Sequence, residues 1–119
     1  MKFPKTILTP AGEEIPLRMA DLKGKGLGYW SLTKKEIVIE DNQPDAGKLV
    51  ILVHEMLHLI DDQLVAAGAL KRRTQHGFIH NSALPLVGLL SLNGFLRLSP
   101  EEFGEFLSLL KAEHGEEEE

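Results

Sequence analysis

The sequence predicts an α+β domain in which a small N-terminal sheet packs on one long helix, with two further helices behind it. Three observations carry this. Short extended runs closed by turn formers fill residues 6–40, a helical run follows over residues 45–70, and Ser99-Pro100-Glu101-Glu102 has the composition of a helix start. A chain of 119 residues makes one core, since a second would leave each half too little apolar surface. We assign 1–114 to that single domain and 115–119 to an acidic tail, which holds four of the formal net five negative charges.

Taken in order, residues 6–9 and 15–19 are short strands bounded by Pro10, Ala11-Gly12 and Pro16. Residues 27–32 and 36–40 form a hairpin around Thr33, Lys34 and Lys35. In its second strand Ile37 and Ile39 share one face, and Glu36, Val38 and Glu40 the other. Gly24, Gly26 and Gly28 read as loop, because a dinucleotide fingerprint needs a strand before it and a helix directly behind it. Asp45 is placed to cap the long helix, whose early residues Leu49, Val50, Ile51, Leu52 and Val53 are apolar all round, so it should be buried on more than one side. A third helical region spans 75–96, where Pro85 is expected to force a kink or an N-terminal break, with Leu86, Leu89, Leu90 and Asn93 at helical spacing. In the last helix Ser99 is the cap, Pro100 the first position and Glu102 the third, and Phe103, Phe106, Leu107 and Leu110 make the apolar stripe.

The bulk properties narrow the function. A net negative charge gives nucleic-acid binding no support, and the one compact basic cluster, Lys71-Arg72-Arg73, reads as a helix end. Without cysteine, any metal must be held by nitrogen and oxygen. The N-terminus lacks a continuous apolar segment of the secretory type, and no run approaches the roughly 18 apolar residues of a membrane span, so a cytoplasmic protein is expected.

Chemistry concentrates at His54-Glu55-Met56-Leu57-His58. On a helix, residues four apart lie about 40° apart around the axis and one turn along it, so both imidazoles can converge on one ion. Glu55, offset by about 100°, is placed to reach a water on the ion's open side. With five histidines in the chain, this pattern is expected by chance only about 0.02 times. The plainer reading, two core histidines beside a surface acid, would leave each imidazole needing a hydrogen-bond partner.

A catalytic zinc site takes a third protein ligand. Asp61 and Asp62 share the histidine face, but Asp61 lies about 7 Å further along the axis, beyond the reach of an aspartate. They read either as partners that orient an imidazole or as polar surface. The other candidates are His76, His80, His114, Glu101, Glu102, Glu105 and Glu113. His76 and His80 follow a break at 68–74 that lets the chain fold back, so either can supply the ligand.

The sequence resembles the zincin superfamily, in particular the small ImmA/IrrE-like and phage-encoded HExxH metallopeptidases. The resemblance covers residues 28–93: the Gly-Tyr-Trp stretch, Glu36-Ile-Val-Ile-Glu40, LVHEMLHLIDDQL and the apolar helix ending near Asn93. It implies a minimal zincin-like fold with an edge strand able to pair with an extended peptide, for which 36–40 is the candidate. In that family the following helix supplies a glutamate. With Ile79, Leu86, Leu90 and Asn93 laid on the family's pattern, His76 stands at that position, and His80 replaces it if the register slips by one turn.

The function these features lead us to expect is that of a zinc-dependent metallopeptidase, a hydrolase acting on a peptide or protein substrate. His54, His58 and His76 would bind the zinc, and Glu55 would serve as general base. Tyr29 is a candidate oxyanion stabiliser only if its strand flanks the site. Two alternatives stand beside this: a metal-stabilised binding or structural module without turnover, and a regulatory protease acting on a repressor-type partner. No feature bears on oligomeric state.

Overall fold

The computed structural model describes residues 2–9, 12–68, 70–72, 78, 79, 82, 83, 85–87, 90, 96, 99–102, 104 and 105. Four strands, β1 (Thr6–Leu8), β2 (Glu14–Ala20), β3 (Gly28–Ser31) and β4 (Glu36–Glu40), precede one long helix, α1 (Asp45–Ala66). The strands form a mixed sheet in the order β1-β2-β4-β3. β1 runs antiparallel to β2 and β3 antiparallel to β4, whereas β2 and β4 are parallel, with Leu17 opposite Ile37 and Met19 opposite Ile39. The molecule is therefore α+β, as expected. Each strand falls on its sequence-read run to within a residue or so at either end.

One expectation is overturned. Residues 36–40 are not an edge strand: β4 is bonded on both sides, and Ile37, Val38 and Ile39 are completely buried. Three consecutive β-branched residues are the pattern of a strand covered on both faces. Ile37 and Ile39 join Ile15, Leu17, Leu52 and Leu59 in the main core against α1, with Trp30, Ile51 and Met56 packed around them. Val38 faces the other way, in register between Arg18 and Tyr29, long side chains that can flank it while their polar ends stay in water. Among the described residues, the edge strand on this side of the sheet is β3.

At Gly28 the helix and the edge strand nearly touch. A Cβ there would stand 2.6 Å from Ile51 Cγ2 and 2.9 Å from the Val38 carbonyl oxygen, so only glycine permits this approach.

The cap differs from expectation. Asp45 is the first helical residue and Pro44 holds the cap position with extended backbone and no side-chain bond. Asp45 acts instead through charge, in the first turn near the positive end of the helix dipole and 3.8 Å from Lys48 Nζ. The helix ends at Ala66, a turn short of 70, because Gly68 takes a left-handed conformation (φ 77°) and its N–H bonds the Val65 carbonyl.

As its all-round apolar start implied, α1 is buried on a second side too, where Ala46 and Leu49 pack with Val87. Residues 78, 79, 82, 83, 85–87 and 90 are helical, and the buried positions there, Ile79, Ala83 and Val87, recur every four residues. The inward face thus runs through Ala83 and Val87 rather than through Leu86 and Leu90, which are half-buried. The expected reciprocal cap is present: the Ser99 N–H donates to Glu102 Oε1 (2.8 Å) and the Glu102 N–H to Ser99 Oγ (3.1 Å). The stripe residues Phe103, Phe106, Leu107 and Leu110, and the tail 115–119, lie outside the described residues. Among the described residues no helix is long and apolar enough to cross a membrane.

Candidate metal centre

The third and fourth turns of α1 bring His54, Glu55 and His58 together. His54 and Glu55 are buried and His58 half-buried. The two Nε2 atoms are 3.1 Å apart, with ring centroids 4.8 Å apart and planes inclined at 59°. One donor atom from each of the three residues lies within 4.8 Å of the others, close enough to hold one metal ion.

The donor set fits a divalent ion. Two imidazole nitrogens bound at about 2.0–2.1 Å to a tetrahedral ion stand about 3.3–3.4 Å apart, and the observed 3.1 Å is within a few tenths of that. Without an ion, two imidazoles at this distance can share a proton only if one ring donates and the other accepts.

Glu55 is held by the edge strand. The Glu40 N–H bonds the Leu27 carbonyl at 2.8 Å, so the hydrogen-bonded pairs recur at Tyr29/Val38 and Ser31/Glu36. Gly28 and Trp30 therefore turn their main-chain groups to the free edge, where the Trp30 N–H donates to the Glu55 carboxylate. Burial nevertheless dominates: it pushes the Glu55 carboxyl up to about 7, against the lowering effect of that hydrogen bond. A carboxyl titrating near neutrality is suited to taking and returning protons.

Trp30 is the residue that sequence reasoning missed. Its indole Nε1–H donates to Asp62 Oδ2 at 2.8 Å, so one residue grips α1 at two points about two turns apart. The available signal was alternation, which places Gly28 and the chain's single tryptophan on one face of a strand beside the motif helix. Of the two readings open for Asp62, the structure therefore gives a third, as anchor of the edge strand. Asp61 is buried. β3 does flank the site, but Tyr29 is on the opposite face of the sheet from Trp30, beside Arg18, and so is turned away from it.

The candidate third ligands divide. Glu101, Glu102 and Glu105 line a separate acidic cleft of about 320 Å³ with Asp45 and Ser99. Asp45 precedes His54 by about 13 Å of helix, so the structure does not bring these carboxylates to the site. His76, His80, His114 and Glu113 lie outside the described residues. No family model matches the chain, and neither a curated protein nor a solved structure does so.

Proposed function

We propose that the chain is a zinc-dependent metallopeptidase of the HExxH type. The observation that carries the reading is the pairing of two imidazole nitrogens at 3.1 Å beside a buried carboxylate that accepts the Trp30 N–H. His54 and His58 would hold the ion, with His76, or His80 one turn on, as third ligand. Zinc bound there would supply Lewis acidity, lowering the pKa of water and polarising a carbonyl.

The chain's own part is proton transfer and exclusion of water. Glu55 accepts a proton from the attacking water and returns it to the leaving amine. The Trp30 N–H fixes the carboxylate's direction, and the surrounding core keeps the group out of bulk solvent. A zincin-like arrangement is part of this proposal, with β3 rather than β4 as the strand beside which an extended peptide would lie. A cytoplasmic location and a peptide or protein substrate belong to the same reading.

The test is metal content together with turnover. Tag-free protein should bind about one zinc per chain, His58→Ala should lose it, and loaded protein should cleave a broad peptide library in a chelator-sensitive way. Zinc bound without cleavage of any library member would leave a binding module. No uptake of divalent metal would end both readings.

A further inference from the structure

A groove of about 670 Å³ opens between the sheet and the C-terminal half of α1, its walls including Ile15, Trp30, Leu32, Leu59 and Leu64. It begins where the candidate metal centre ends. Leu59 is one turn beyond Glu55 on the same helical face, and Asp62 nearly one turn beyond that, so the groove lies about 6–10 Å from the Glu55 backbone along the axis. Trp30 belongs to both places: its main-chain N–H meets the Glu55 carboxylate, and its indole, fixed by Asp62, forms a wall of the groove.

We propose that this groove is a specificity pocket for one large apolar side chain, aliphatic or aromatic, of an extended peptide substrate, with Trp30 as its specificity-determining wall. The proposal rests on the metallopeptidase reading and names its substrate class. Three observations favour this occupant. The groove gathers three of the chain's exposed large hydrophobic residues, Leu32 (45% exposed), Ile60 (47%) and Leu64 (40%), around one opening. Its volume is that of a ligand pocket rather than of a packing defect.

The spacing also fits a peptide. Side chains on one face of an extended chain repeat about every 6.6–6.8 Å, so a residue one or two positions from a bond held over Glu55 reaches the groove. Charged side chains enter the lining as Glu13 and Lys35, both exposed, and as Asp62, which is engaged by the indole. A charged substrate residue would have to give up water against largely apolar walls.

The single tryptophan makes occupancy directly readable. Zinc-loaded Glu55→Gln protein, which retains an acceptor for the Trp30 N–H, is titrated with end-blocked hexapeptides that vary at one position, followed by tryptophan fluorescence. Peptides with Phe or Leu should shift the emission saturably and bind at least about tenfold tighter than those with Ala or Asp. Leu64→Glu and, separately, Leu32→Glu should erase the preference while zinc affinity stays at the parent's value, which reports an intact fold.

Equal binding of all peptides, no binding of any, or a preference that survives both substitutions overturns the proposal. So does burial of the groove by a second copy of the chain, seen as a dimer at the working concentration. Failure of wild-type turnover alongside a retained Phe and Leu preference would count against the hydrolytic reading alone.

Discussion

Glu55 and Glu102 make the same contact with opposite results. Each carboxylate accepts a main-chain N–H, from Trp30 in one case and Ser99 in the other. Glu102 stands at a helix start, and its carboxyl is held below the ordinary value, first by the Ser99 N–H. Glu55 is sunk between helix and sheet, and burial raises its carboxyl to about 7 in spite of the bond. A hydrogen bond to a carboxylate lowers its pKa only where it outweighs the cost of burial, as it does at Glu102 and does not at Glu55. The cleft around Asp45, Glu101, Glu102 and Glu105 is thus a helix cap with acidic neighbours, and the three-residue cluster on α1 is where protonation chemistry is possible at neutral pH.

The comparison breaks first on activity. Glu55→Gln should lower peptide hydrolysis by about 10²–10⁴-fold with zinc affinity retained, since an amide keeps the shape but takes no proton. Glu102→Gln should leave kcat/KM unchanged. Peptide turnover and zinc titration of both variants decide it, and equal losses from the two would remove the distinction drawn between them.

The second effect is on stability, measured on metal-stripped protein because a bound cation would favour the carboxylate. The folded chain keeps the Glu55 proton up to about pH 7, whereas the unfolded chain releases it near the ordinary 4.5. The stability contributed by this group is therefore whole below pH 4.5 and lost as the pH rises through 7, a change of about 2–3 kcal/mol after allowance for solvent screening. Urea unfolding of the parent minus that of Glu55→Gln should show this fall and isolate it from the histidines. A flat difference would mean that burial does not raise the Glu55 carboxyl.

The third is steric. Gly28→Ala would drive a methyl group into Ile51 and the Val38 carbonyl, and should cost about 1–3 kcal/mol. The damage falls on the Glu55 side, because β3 carries Trp30. Thermal unfolding checks the cost, and an unchanged Tm would show that helix and edge strand are not held together there.

How much of this was legible in the sequence follows from how local each feature is. The strand runs show because Pro and Gly punctuate them, and the histidine pair shows because His54 and His58 are one helical turn apart. The capping box at Ser99 and Glu102 is equally local. Sheet order is not: that β4 lies inside depends on β2 pairing with it from twenty residues upstream, and the glutamates at 36 and 40 imitated the alternation of an edge. The grip of Trp30 on Glu55 and Asp62 joins residues 25 and 32 positions apart, and nothing in the spacing of either announces the other.

The smallest effect belongs to the other glutamate's partner. Ser99→Ala removes the hydroxyl that accepts the Glu102 N–H at 3.1 Å but leaves the Ser99 N–H free to donate to Glu102 Oε1, so half of the reciprocal cap survives. The loss should be about 1 kcal/mol, in the middle of the range for such caps. It should also be felt alike with and without zinc, since the Ser99 cleft and the histidine pair are about 13 Å of helix apart. Denaturant unfolding of parent and variant in both metal states measures the two losses. If the Ser99→Ala penalty grew or vanished on zinc binding, the helix start and the histidine pair would be coupled, and the separation of a helix-cap carboxylate from one buried against the sheet would need to be redrawn.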